Sequence, residues 1–82
     1  MLNLLLFARY REEIGTEQLS LQWQPHWQTV ADVIASLVER GEAWTVLNDA
    51  GLMCAINQQL CKVHTTIKAG DELALFPTVT GG

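Results

Sequence analysis

Basic residues are scarce in this chain: Arg9, Arg11, Arg40, Lys62 and Lys68 stand against nine acidic residues, giving a formal net charge of -4, and the five form no run. Nucleic acid is therefore not an expected partner, because binding there leans on clustered Lys and Arg neutralising phosphates. An acidic body instead favours a partner with a basic docking surface. Cysteine is equally sparse. Cys54 and Cys61 form neither a CxxC nor a pairing with histidine, which excludes a disulfide framework and offers no zinc site. Free thiols fit a reducing compartment, and the cytoplasm is the expected location. No stretch approaches the roughly 20 apolar residues of a membrane-spanning helix, so no membrane association is expected. The apolar start Met1 to Ala8 has no basic residues before it and no small-residue cleavage site after it, so it reads as a strand rather than a secretory signal.

What is present suffices for one core. The 82 residues are 49% apolar and 17% charged, which predicts a single domain over 1–82, since a second core would need roughly 50 further residues. Leu2 to Tyr10 reads as an interior strand, with Leu2, Leu4, Leu6 and Ala8 on one face and Asn3, Leu5, Phe7 and Arg9 on the other. A turn over Glu12-Glu13-Ile14-Gly15 leads to a second strand, Glu17 to Trp23, with Leu19, Leu21 and Trp23 on one face. Thr29 is placed to cap a helix that starts at Val30, with Asp32 three residues on. Val30, Val33, Ile34, Leu37 and Val38 mark its buried face, and Gly41 suits the C′ position.

Glu42 to Ala50 has no clear period. Leu52 to Ile56 and Leu60 to Val63 read as short strands joined near Asn57-Gln58-Gln59, and Glu72 to Pro77 as the last strand, alternating Leu73 and Leu75 with Ala74 and Phe76. A hairpin, one main helix and further strands predict an α+β architecture, the β-grasp: a mixed sheet with a helix across one face. The segment 77–82 has nothing left to pair with and is expected to project as a flexible tail.

That tail, Phe76-Pro77-Thr78-Val79-Thr80-Gly81-Gly82, resembles the terminus of the ubiquitin-like MoaD and ThiS sulfur-carrier family, which includes small subunits of molybdopterin synthase. Leu5-Leu6-Phe7-Ala8-Arg9 with Arg11-Glu12 and Gly15, Ala55-Ile56-Asn57-Gln58, and Gly70-Asp71-Glu72-Leu73 resemble further stretches of the family in the right order. Where the family usually carries a second proline this chain has Thr78, which is expected to loosen the root of the tail.

The resemblance implies that the chemistry happens at the Gly82 carboxylate. An E1-like enzyme would use ATP to adenylate it and sulfur would then displace AMP, leaving a thiocarboxylate. This would supply sulfur to a pterin precursor for the dithiolene of the molybdenum cofactor. The implied partners are that activating enzyme and the large synthase subunit, in a heterotetramer, with the catalytic side chains on the large subunit and no cofactor bound stably here. Two glycines suit the task, because without Cβ they impose no barrier at the attacked carbon and thread a narrow channel. Gly81, Thr80 and Val79 would be the threading residues, and from Pro77 to Gly82 an extended chain reaches on the order of 20 Å.

The sheet face away from the helix is expected to dock the partner through Leu5, Phe7 and Phe76, with Leu60 in the hairpin beside them. Cys54 and Cys61 read as core thiols on one apolar face of a hairpin that pairs Ile56 with Cys61 and Cys54 with Val63. His26 and His64 share no metal-ligand spacing, and no metal site is expected. Trp23 and Trp44 are expected at core edges, and Trp27 either capping the helix entry or partly exposed. Arg9 and Arg11 are open to a partner's acidic groups or to solvent. No Ser/His/Asp or Cys/His arrangement suggests independent catalysis. Three other functions share these features: a sulfur carrier for thiazole synthesis, usually shorter and lacking the segment around Trp44; a ubiquitin-like modifier joined through Gly82 to lysine; and an interaction module with an inert tail.

Overall fold

The structure is a computed structural model, and it describes residues 1–78. Five strands form one mixed sheet: β1 (Leu2–Leu6), β2 (Gln18–Leu21), β3 (Leu52–Ile56), β4 (Gln59–Cys61) and β5 (Glu72–Pro77). Their order across the sheet is β2-β1-β5-β3-β4, with β1 parallel to β5 and every other pair antiparallel. Helix α1 (Ala8–Ile14) joins β1 to β2, helix α2 (Val30–Val38) follows β2, and a 3₁₀ helix spans Glu42–Leu47. The architecture is the expected α+β β-grasp, and β1 is an interior strand.

The first strand stops earlier than the alternation suggested, and the segment read as strand end and turn is α1. Ala8 turns sharply out of the sheet with φ 52°, in the left-handed region. From there Tyr10 and Ile14, four residues apart, share one side of the helix against the core. Gly15 closes it at φ 89°, its N–H bonded to the Arg11 carbonyl at 2.8 Å. An isolated turn of apolar and polar residues carries period 2 and period 3.6 equally well, and here burial of Tyr10 decides for the helix.

The start of α2 follows the sequence closely. The Thr29 hydroxyl accepts from the Asp32 N–H and the Asp32 carboxylate accepts from the Thr29 and Gln28 N–H groups, a complete capping box. The next free N–H groups, of Val30 and Ala31, donate to the carbonyls of Thr65 and Val63, so a distant loop completes the cap. At the other end the helix finishes at Val38, and Glu39 and Arg40 add two tighter 3₁₀-type bonds. Gly41 is extended and starts the 3₁₀ helix rather than taking the C′ role.

The core lies between α2, α1 and the near face of the sheet. Leu2, Leu4 and Leu6 of β1, Leu73 and Leu75 of β5, Leu21 of β2, Cys54 of β3 and Val30, Val33 and Leu37 of α2 are all buried there, with Tyr10. Each fully buried aliphatic side chain contributes about 1.5–3 kcal/mol by leaving water. Ile34 and Val38 pack partly buried beside them. Trp27 is also buried, its indole N–H donating to the Ser36 hydroxyl at 2.9 Å and its ring meeting Trp23 edge-on. Trp23 itself lies beyond β2, which ends at Leu21.

The β3–β4 hairpin differs from the expected register. Asn57 and Gln58 both have positive φ, 50° and 72°, forming a two-residue turn that closes Ile56 against Gln59 and Cys54 against Cys61. Strand β4 ends at Cys61, where Lys62 and Thr65 start a turn. The shift is two residues, which leaves side-chain faces unchanged, so the two thiols share the core face as expected. They stand 3.4 Å apart, Cys54 buried and Cys61 partly so.

Candidate functional site

Alternation along four strands builds the sheet face that no helix covers. Leu5 continues into Phe7 from β1, Ala74 and Phe76 come from β5, Met53 and Ala55 from β3 and Leu60 from β4. Their registers place Leu60 opposite Ala55, Ala55 opposite Ala74 and Ala74 beside Leu5, while Met53 faces Phe76. The Phe7 N–H bonds the Leu75 carbonyl, which carries Phe7 to the side of Phe76 just before α1 begins. Leu5, Phe7, Ala74, Phe76 and Pro77 line an open groove of about 500 Å³. Phe7 is 44% exposed, Met53 37% and Leu60 70%.

The structure thus brings Leu5, Phe7 and Phe76 together, with Leu60 further along the same face. Met53 completes the patch and was missed from the sequence. Its signal was the alternation of Leu52-Met53-Cys54-Ala55-Ile56, which sets Met53 and Ala55 opposite the core residues. It could be read only once β3 was known to lie against β5.

Beside this face the chain reaches its last described residues. Pro77 is the final residue of β5, paired with Leu52, and Thr78 donates both its N–H, at 3.0 Å, and its hydroxyl to the Gly51 carbonyl. The threonine therefore ties the root down, against the expectation that it would loosen it. Val79, Thr80, Gly81 and Gly82, the expected threading and reacting residues, lie outside the described residues.

Next to Gly51, Asp49 gathers polar groups from α1. Its carboxylate accepts the Tyr10 hydroxyl at 2.7 Å, pairs with Arg9 and accepts the Gly51 N–H at 3.1 Å. The Tyr10 hydrogen bond, then the Gly51 N–H, hold its carboxyl below the ordinary range, with the Arg9 charge adding to them. Arg9 is thus engaged within the molecule, and Arg11 stands 4.0 Å from Glu17.

Burial, followed by the hydrogen bond and charge of Cys61, holds the Cys54 thiol well above its ordinary range, which suppresses the thiolate needed for nucleophilic chemistry. Among the described residues, no cluster of three or more His, Cys, Asp or Glu side chains is arranged to hold a metal ion. None of the described helices is long and apolar enough to cross a membrane.

A mixed five-stranded sheet grasping one main helix, with its last strand ending beside an apolar face, defines a ubiquitin-like β-grasp protein. The chain belongs to the ThiS family, whose profile matches residues 4–82. It is 41% identical to the molybdopterin synthase sulfur carrier subunit of Haemophilus influenzae over 83 aligned positions, covering 100% of both chains. Its identity to the Escherichia coli protein of the same name is 34%, again over 100% of both. Among solved structures, SAMP1 of Haloferax volcanii, a small archaeal modifier protein, superposes with a TM-score of 0.79 at 27% identity, covering 99% of this chain and 98% of that one.

Proposed function

We propose that this chain is the sulfur carrier subunit of a molybdopterin synthase. The observation that carries the reading is full-length similarity, at 41% identity, to a protein so named, extending through the Gly-Gly end. A Gly82 carboxylate oxygen attacks the α-phosphorus of ATP, a C–O–P bond forms and pyrophosphate leaves. A sulfide-level nucleophile then attacks the carbonyl carbon and AMP departs, which leaves the thiocarboxylate. That sulfur attacks a carbon of the pterin precursor and displaces an oxygen leaving group, and water then cleaves the acyl–sulfur bond, which leaves the sulfur on the pterin as a thiol and restores the carboxylate. The chain brings no catalytic side chain to these steps: its contribution is an unhindered reacting carbon at Gly82 and a domain that presents it. Val79, Thr80 and Gly81 pass through the partner's channel. The activating enzyme is E1-like, and the large synthase subunit docks on the face built by Leu5, Phe7, Phe76 and Leu60 in the cytoplasm.

Intact mass of the protein isolated from cells that contain its activating enzyme tests this. The expected result is a species heavier by the difference between sulfur and oxygen, lost on deletion of Gly82. Conversion of the pterin precursor with the large subunit, and not of a thiazole precursor, distinguishes the two sulfur-carrier pathways. The likeness to an archaeal modifier favours one second reading, conjugation of Gly82 to lysine. Covalent adducts in place of the heavier species would decide for it, and an unmodified mass would leave a plain interaction module.

A further inference from the structure

A bracket at Asp49–Gly51 joins two distant parts of the chain, α1 and the end of β5. At one end Asp49 is fixed to α1 by Tyr10 and Arg9; at the other, Gly51 holds Thr78 by two hydrogen bonds to a single carbonyl. The bracket is internally tied, because the Gly51 N–H returns to the Asp49 carboxylate at 3.1 Å and the Leu52 N–H to the Asp49 carbonyl at 3.0 Å. The contact is also close. A Cβ on Gly51 would stand 2.9 Å from the Thr78 hydroxyl oxygen, nearer than such contacts allow, so any other residue there must move that hydroxyl.

We propose that Thr78, Gly51 and Asp49 are positioning residues that fix the origin and heading of the reacting segment, an inference that rests on the sulfur-carrier reading of Gly82. With Thr78 anchored, whatever path residues 79–82 take begins from a fixed point and extends at most about 13 Å. The conformational entropy of Thr78 is then lost on folding instead of on binding, so a partner's channel meets a segment with one residue fewer to order. Asp49 acts through Gly51, and Tyr10 and Arg9 act through Asp49; none of them touches the reacting carbon.

The test uses the full chain, MgATP and its E1-like adenylating enzyme, with pyrophosphate release followed against carrier concentration. Thr78→Gly keeps the N–H but loses the hydroxyl and frees the backbone, and is expected to raise KM about five- to tenfold with kcat within twofold. Thr78→Ser keeps both donors, and is expected to return KM close to that of the parent. A role in stability alone would leave KM unmoved in both. An unchanged KM in Thr78→Gly, or a serine variant as impaired as the glycine one, overturns the proposal. Amide exchange reads the anchor without activity: the Thr78 N–H, which donates to the Gly51 carbonyl at 3.0 Å, is expected to be protected in the parent, and an unprotected N–H also overturns the proposal. If the parent chain releases no pyrophosphate, the sulfur-carrier reading fails, and the exchange rates alone decide whether the anchor exists.

Discussion

Phe7 and Phe76 meet edge to face on the open side of the sheet, ring centroids 6.4 Å apart and planes at 85°. Phe76 is held in β5 and Phe7, the residue just past β1, donates its N–H to the Leu75 carbonyl, so hydrogen bonds fix both backbones and the pair presents a rigid apolar ridge. Such aromatic anchors concentrate interface energy. Phe76→Asp is expected to weaken binding to the large synthase subunit by at least about 2 kcal/mol, roughly thirtyfold, and Met53→Asp by a comparable amount, with unfolding midpoints little changed. Isothermal titration against the large subunit checks this, and full affinity in both variants would remove the face as the docking site.

Gln58 occupies the second position of the β3–β4 turn at φ 72°, where a side chain is strained and glycine is not. Gln58→Gly is expected to stabilise the domain by about 0.5–1 kcal/mol, read from the urea midpoint. The same change at Asn57 should be destabilising, because its side chain accepts the Glu72 N–H and donates to Asp71, both at 3.0 Å.

Tyr10 is the sole tyrosine of the chain, so its ionisation can be followed by absorbance without interference. Burial, then the hydrogen bond to and charge of Asp49, raises its phenol well above the ordinary value of 10.0. A raised value means the folded state holds the proton longer than the unfolded one. The stability this contributes is fully present below pH 10 and is lost as pH rises beyond it. The phenolate band is expected to appear only with unfolding, and a normal titration in the folded protein would contradict the buried geometry.

At the acid end the sign reverses. The N–H groups of Gln28 and then Thr29 hold Asp32 below its ordinary 3.8, so its contribution is present above that value and is lost as pH falls through the lower folded value. Asp32→Ala is expected to flatten the acid limb of the stability profile in urea melts at stepped pH. Thr29→Ala should cost about 1 kcal/mol with the slope largely kept.

Cys54 is predicted to resist alkylation in the folded state, because burial and the neighbouring Cys61 thiol keep it protonated. Peptide mapping after brief iodoacetamide treatment should find label on Cys61 ahead of Cys54, and equal labelling would mean that the hairpin opens readily. A variant with both cysteines changed to serine is expected to be sulfurated at Gly82 as the parent is, once folded.

Local signals were strong where a few adjacent residues decide the structure. The Thr29/Asp32 cap and the Val30-Val33-Leu37 stripe defined α2, and alternation in β1 and β5 sorted Leu2, Leu4, Leu6, Leu73 and Leu75 from Leu5, Phe7, Ala74 and Phe76. Signals were weak where two periods fit one short stretch. Ala8 to Ile14 satisfied strand alternation and helical spacing alike, and only the burial of Tyr10 against the core separates them. The hairpin register depended on which two residues accept positive φ, and neither Asn57 nor Gln58 is a glycine that would have announced it.

Sequence alone determined the fold class, the faces of the strands and the Gly81-Gly82 end, because periodicity, capping and chain-end chemistry are properties of neighbouring residues. Tertiary structure alone decided that Met53 joins Phe76, that Arg9 and Tyr10 converge on Asp49, and that Thr78 is held by Gly51. Those pairs lie far apart along the chain, and they meet only because the sheet sets β5 between β1 and β3 and folds the loop before β3 against both α1 and the end of β5.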